Sequence, residues 1–157
     1  MQASGNIGEI IVPVLLASGL AVTAVTRENS NTTFPPGAKV VTTDYHSLDS
    51  LTSILQGIDA VVSLVGPQGI VHQNRMIDAA VAAGVKYFLP SEFGHDYNNP
   101  RVFSLVPGFA AKKAVIQYLE TKEKEGLSWT MIITGLWFDW VSSLSITMRF
   151  HFADSIS

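Results

Sequence analysis

The sequence has no cysteine and few charged residues. Without cysteine, disulfides and thiolate metal sites are excluded, which fits a reducing compartment. Only 15% of the residues are charged, the net charge is −3 and the ten basic side chains are scattered. Such a chain has neither a nucleic-acid surface nor a polybasic patch for anionic membranes. We therefore expect small-molecule partners, no nucleic acid and no membrane, with the cytoplasm as the default location; the composition does not set the oligomeric state.

The histidines are the remaining candidates for metal ligands. Their spacing along the chain is not that of metal ligands. The four are His46, His72, His95 and His151. His95 follows a predicted loop and could touch substrate, although histidines in loops are usually solvated. We predict no metal site.

One apolar stretch, residues 10–25, has the composition of a signal or a membrane span. It is broken by Pro13, Ser18 and Gly19, and it has no basic leader. The stretch is therefore better interpreted as a helix followed by a strand.

Strand and helix patterns alternate along the chain. Five segments are rich in β-branched or apolar residues, as buried strands are. They are residues 20–26, 39–42, 60–65, 85–89 and 129–134. Three segments between them carry apolar stripes at helical spacing: residues 47–57, 70–84 and 109–125. The alternation predicts an α/β fold, a doubly wound parallel sheet of the Rossmann-like kind.

A glycine-rich loop stands at the start of the sequence, with no strand before it. The loop consists of Ser4, Gly5, Asn6, Ile7 and Gly8. Such a loop normally follows a strand and begins a helix whose free N–H groups hold a phosphate, although two glycines can also mark an ordinary helix start. The first strand of a doubly wound sheet is its centre. We therefore expect the domain to lack its central strand.

Arg27 ends the next predicted strand, 19 residues beyond Gly8. Dinucleotide-binding folds place the group that reads the adenosine ribose here, and a guanidinium can pair with a 2′-phosphate. Arg27 therefore favours NADPH over NADH, unless it is a surface arginine neutralised by Glu28. Asp44, after the following strand, could border the adenine or only shape a turn.

Two further loops follow buried strands at their carboxyl ends. Gly66 lies in the first loop, and Ser91, Glu92 and Phe93 lie in the second. Both loops open on the crevice in which open α/β sheets bind ligands, so we predict that these residues contact the cofactor. Ordinary turn chemistry is the alternative.

Three segments match a known family pattern. They are Asp-Ala-Ala at 78–80, Ala-Gly-Val-Lys at 83–86 and Phe-Leu-Pro-Ser-Glu-Phe-Gly at 88–94, and Gln73 fits the same pattern. Together they resemble the isoflavone reductase-like, or NmrA-like, family of atypical short-chain reductases. The resemblance covers about residues 3–140 and implies NADPH as the cofactor.

The family carries a catalytic lysine in a Phe-x-x-Lys arrangement, which here falls on Phe109 and Lys112. The resemblance therefore makes Lys112 the candidate catalytic residue. A lysine in the first turn of a helix also lies at the positive end of the macrodipole, which favours its neutral form. Such a lysine can act as a general acid or base near neutral pH. The alternative is an exposed lysine beside Lys113.

A second lysine motif points to ordinary short-chain dehydrogenases. Tyr118 and Lys122 form Tyr-x-x-x-Lys, and Ser104 lies upstream. Tyr118 falls on the apolar stripe of its predicted helix, and Lys122 is one of several charges near the helix end. We interpret this motif as core packing rather than catalysis.

The ends of the chain depart from the family pattern. Family members begin with a strand and a glycine where this chain has Met1 and Gln2, and they continue past Trp140 into a smaller part that closes over the substrate. We hypothesise a mis-spliced or truncated product. Residues 1–140 would form an incomplete NAD(P)-binding domain, and residues 141–157 a tail of unassigned structure.

The residues leave three functional interpretations open. The first is the cofactor-binding portion of an NADPH-dependent reductase that transfers hydride to a small aromatic or phenylpropanoid-like substrate, with Lys112 handling the proton. The second is an NmrA-like regulator that senses dinucleotide without catalysis, which needs no such lysine. The third is an inactive fragment of either.

Overall fold

The computed structural model of the protein describes residues 5–28, 30, 32–94, 96 and 109–135. Helices and strands alternate through them. The helices are α1 (Asn6–Ala17), α2 (Leu48–Leu55), α3 (Gln73–Ala82) and α4 (Phe109–Lys122). The strands are β1 (Thr23–Thr26), β2 (Lys39–Thr42), β3 (Ala60–Val62), β4 (Tyr87–Leu89) and β5 (Ser128–Trp129). Two 3₁₀ helices, Pro67–His72 and Glu123–Glu125, precede α3 and follow α4. The predicted tail at 141–157 lies outside the described residues.

The strands form two parallel sheets. β1 pairs with β2, and β4 lies between β3 and β5. The break falls between β1 and β3, where a doubly wound sheet has its first strand. No strand among the described residues fills this position. The predicted α/β class with parallel strands is confirmed, and the described part of the sheet has a gap at the predicted place.

Most strands are shorter than the apolar runs that predict them. Only β2 has the predicted bounds, residues 39–42. The pairing of β3 with β4 ends at the hydrogen bond from Ser63 N to Leu89 O (2.8 Å), because Pro90 directly follows β4. Proline has no N–H to continue a ladder. Leu64 and Val65 remain buried beyond the last paired residue, so the apolar run is core without being strand.

The main hydrophobic core packs around β4 and the helices α2, α3 and α4. Its largest fully buried hydrophobic side chains are Phe88, Leu51, Met76, Ile77, Leu119 and Leu127. Val12 of α1 and Ala24 of β1 form a second, smaller cluster. Tyr45, after β2, joins the two-stranded sheet to the main core, since its hydroxyl donates to Val25 O (3.2 Å). No helix in the described ranges is long and apolar enough to cross a membrane.

Candidate active site

The carboxyl ends of strands from both sheets meet around one cavity. The cavity has a volume of about 170 Å³. Arg27 follows β1, Tyr45 and His46 follow β2, and Val65 and Gln68 follow β3; all of them line it. Open α/β sheets bind their ligands at this edge. The fold therefore places the predicted ribose-reading arginine in the wall of a cavity.

The glycine loop begins α1 as the sequence predicts. Gly5 is the N-cap residue, and glycine has no side chain with which to cap the helix. Asn6, Ile7 and Gly8 form the first turn, whose backbone N–H groups have no partner within a helix. A Cβ at Gly5 would meet no atom of the described residues within 4 Å. This helix start fits a phosphate group; Ser4 lies outside the described residues.

Arg27 also borders a second depression, of about 370 Å³. Glu28, Thr43 and Asp44 line the rest of it. Thr43 Oγ1 is buried and has no hydrogen-bond partner among the residues that the structure describes. A buried hydroxyl of this kind needs a polar partner, and a bound ligand with hydroxyl or phosphate groups would supply one. The residues present therefore fit the ribose end of a dinucleotide.

Asp44 occupies a position that serves both of its predicted roles. Its Oδ1 accepts a hydrogen bond from the backbone N–H of His46 (2.8 Å), so the side chain shapes the turn after β2. The same residue lines the second depression beside Arg27. Turn formation is therefore observed, and contact with the adenine stays a prediction.

The loops after β3 and β4 are tied together by Ser91. Its backbone N–H donates to Gln73 Oε1 (2.9 Å), and its hydroxyl donates to Val65 O (2.7 Å). Gln73 is fully buried at the start of α3. Gly66 is exposed and caps the 3₁₀ helix before α3. Ser91 and Gln73 therefore position the loop, a role that the family pattern of Gln73 did not reveal.

Lys112 reaches this loop from the first turn of α4. Its Nζ donates to the backbone oxygen of Glu92 and lies 3.9 Å from Glu92 Oε2. The side chain of Lys112 is 19% exposed and that of Glu92 is 2% exposed. The alternative of an exposed lysine is therefore wrong.

Burial shifts the titration of this lysine. Burial lowers the pKa of Lys112 below its ordinary value, and the negative charge of Glu92 opposes that shift. The direction is the same as the one that the helix macrodipole predicts. An ammonium with a lowered pKa in a partly open site can exchange a proton with a ligand.

The backbone next to Glu92 is constrained. Phe93 has a φ of +23°, which is uncommon for an aromatic residue. A Cβ at Gly94 would lie 3.2 Å from Glu92 O and 3.8 Å from Lys112 Nζ. Any side chain at position 94 would therefore crowd the carbonyl that accepts the Lys112 hydrogen bond. His95 and Ser104 lie outside the described residues.

The Tyr-x-x-x-Lys pair lies in a different place, between α3 and α4. Tyr118 Oη donates to Asp78 Oδ1 (2.6 Å), and Lys122 Nζ lies 3.1 Å from the same oxygen. The bond to Asp78 raises the pKa of Tyr118, while Glu125 and Asp78 raise the pKa of Lys122. Both pKa shifts move the titration of these groups further above neutral pH. These contacts agree with a structural role for the motif, and Lys122 pairs with Asp78 and with Glu125, another charge near the helix end.

Replacing Tyr118 with phenylalanine tests this assignment. We expect the variant to lose about 1 kcal/mol of stability, the net value of one hydrogen bond. The melting temperature should fall by about 3 °C in a chain of this size. Dinucleotide affinity should not change, since Tyr118 touches neither depression. A lost affinity or a lost turnover without a drop in melting temperature would contradict the structural role.

The parallel strands end at a cavity, and α1 begins at an N-cap glycine. These features place the protein among the Rossmann-like, NAD(P)-binding folds. The model of the NmrA-like family matches residues 1–150. The chain therefore belongs to the NmrA-like family, and the resemblance predicted from the motifs at 78–94 is confirmed.

Similar proteins include oxidoreductases and reductase homologues. The chain is 38% identical over 136 residues to oxidoreductase aprR of Aspergillus flavus, covering 85% of this chain and 46% of that protein. It is 33% identical over 144 residues to isoflavone reductase homolog P3 of Arabidopsis thaliana, covering 84% and 46%. A solved complex of leucoanthocyanidin reductase with NADPH from Vitis vinifera matches at a TM-score of 0.68 and 30% identity, covering 83% and 45%. The chain spans about half the length of the curated relatives it matches.

Proposed function

We propose that the chain is the cofactor-binding part of an NADPH-dependent reductase that acts on a small aromatic or phenylpropanoid-like substrate. The observation that carries the proposal is Lys112, mostly buried, with its ammonium held on Glu92 at the carboxyl edge of the sheet. Membership of the NmrA-like family supports it, and so do the reductase names of the relatives. The neighbour solved with NADPH supports the choice of cofactor.

The residues around the gap would hold the cofactor. The start of α1, from Gly5 to Gly8, would take the pyrophosphate, because the first N–H groups of a helix have no partner within it and Gly5 has no side chain to cap them. Arg27 would pair with the 2′-phosphate, and Thr43 Oγ1 would find its missing partner in the same ligand. Ser4, Gly66 and Phe93 stay predicted contacts, placed by the sequence at the same edge.

Lys112 would handle the proton of the reaction. When it is bound, NADPH supplies a hydride to a carbon atom of the substrate. Negative charge then develops on the substrate. Lys112 Nζ would donate its proton to that charge, and the lowered pKa makes the donation possible near neutral pH. The carbonyl of Glu92 orients Nζ, while Ser91 and Gln73 hold that loop against β3.

The cofactor half of the proposal is tested with an Arg27→Ala variant. We expect the wild-type protein to bind NADPH in preference to NADH. Loss of the guanidinium should raise the Kd for NADPH at least about 10-fold, the value of one charge-assisted hydrogen bond. The Kd for NADH should change by less than about 3-fold, since it has no 2′-phosphate. Isothermal calorimetry with both dinucleotides gives these constants.

Lys39→Ala is the matched control for this variant. Lys39 is exposed at the amino end of β2, away from the edge that carries Arg27. Removing its charge should leave both constants unchanged. Equal losses of NADPH and NADH affinity in the Arg27 variant would contradict the assignment of the 2′-phosphate to this residue.

A further inference from the structure

Two histidines meet in the wall of the cavity beside Arg27. His46 lies in the turn after β2, and His72 is the last residue of the 3₁₀ helix Pro67–His72. Their ring centroids are 4.8 Å apart, and the rings are nearly perpendicular, at 85°. Both rings line the cavity together with Arg27. Loops that follow strands of the two different sheets therefore bring these side chains together.

The charge around this pair is mostly positive. Arg27 faces the cavity, and Arg75, one turn beyond His72 on α3, donates to Tyr45 O (3.5 Å). Asp44 is the carboxylate that acts on His72 within the described residues. If both histidines were protonated, four cations would stand against Asp44 and against Glu28, which borders the second depression beside Arg27. Such a cluster favours an anionic ligand in the cavity.

The titration of His72 has the direction expected from this crowding. Burial lowers the pKa of His72, the positive charges of His46 and Arg75 lower it further, and Asp44 opposes them. An anion placed between the rings would reverse the electrostatic part of this shift. Its binding would therefore favour the protonated form of His72.

We propose that His46 and His72, together with Arg27, form a proton-dependent subsite for the phosphate monoester on the ribose of the dinucleotide. The proposal rests on the proposed function, since it assigns the 2′-phosphate of NADPH to this cavity. When both imidazoles are neutral, Arg27 is the cation in this cavity wall that attracts the phosphate. As the pH falls, an imidazolium adds a second charge and donates a hydrogen bond. The preference for NADPH over NADH should then exceed that of a variant without the two rings.

The test measures the Kd values of NADPH and NADH by calorimetry at about pH 5 and about pH 8, well below and well above the ordinary pKa of histidine. In a His46→Gln, His72→Gln double variant only the protonation of the phosphate should remain, which lowers the ratio of the NADH constant to the NADPH constant as the pH falls. Relative to that variant, the wild-type ratio should gain up to about 10-fold over the same range, the limit set by one pKa unit of coupling. The single His46→Gln variant, altered at an exposed ring, covers the case in which the double variant does not fold.

The outcomes separate the two proposals. The phosphate itself takes up a proton near pH 6, so an equal pH response in the wild type and in both variants would overturn the subsite. A wild-type ratio that falls more steeply than the ratio of the variants as the pH is lowered would overturn it as well. In either case NADPH binding would leave the proposed cofactor intact. If NADPH fails to bind at both values of pH, the proposed function fails together with the subsite.

Discussion

A Lys112→Met variant is expected to lose at least about 100-fold in kcat/KM for hydride transfer, the usual contribution of a general acid or base. Methionine keeps much of the apolar stem that packs in the site and removes only the proton-carrying group. The Kd for NADPH should stay within about 3-fold, because Lys112 lies against Glu92 rather than beside the phosphate-binding residues. Steady-state kinetics with NADPH and calorimetry with the same protein measure both quantities.

Lys113→Met is the matched control for that variant. Lys113 is the exposed neighbour of Lys112 on the same helix, so its replacement removes the same charge outside the site. We expect kcat/KM to remain unchanged. If Lys112→Met keeps full turnover, the catalytic assignment is wrong. If the wild type binds NADPH and turns over no substrate, the regulator interpretation gains over the reductase.

The parts of the site that the sequence predicted are those set by local structure. A glycine that starts a helix and an arginine at the end of a strand keep their positions whatever packs around them. Gly5 and Arg27 are accordingly placed as predicted. Ser91 lies at the predicted edge too, but both of its hydrogen bonds go to other protein groups.

The parts that the sequence could not supply depend on contacts between distant segments. Gln73 meets the Ser91 N–H across 18 positions, and Lys112 meets Glu92 across 20. The pairing of His46 with His72 likewise needs loops of two sheets to converge. No periodicity in either segment encodes such a meeting, so only the folded chain shows it.

The lengths of the strands also depend partly on local sequence and partly on contacts between distant segments. Apolar composition predicts which residues are buried, and Leu64 and Val65 are buried as predicted. Hydrogen bonding to a neighbour decides which residues are strand, and Pro90 in the neighbour ends that bonding at residue 63. The bounds of β3 were therefore overestimated although its existence was predicted.

The largest effect on stability is expected for Phe88→Ala. Phe88 is 0% exposed in β4, the strand between β3 and β5, and it belongs to the main hydrophobic core. Removing a buried phenyl ring costs about 3–5 kcal/mol through lost transfer free energy and the cavity left behind. Domains are stable by only about 5–15 kcal/mol. The variant should therefore be partly unfolded or unfold at a much lower urea concentration, with the slope of the transition unchanged.

Tyr87→Ala in the same strand is the control for the loss of stability expected in Phe88→Ala. Tyr87 is 55% exposed, and its side chain points to the opposite face of the sheet because successive residues of a strand alternate. Its truncation removes β-propensity and little buried area, so about 1 kcal/mol or less is expected. A large difference between the two variants shows that one face of β4 carries the core. Equal losses would mean that both faces of β4 are packed, which would contradict the exposure of Tyr87.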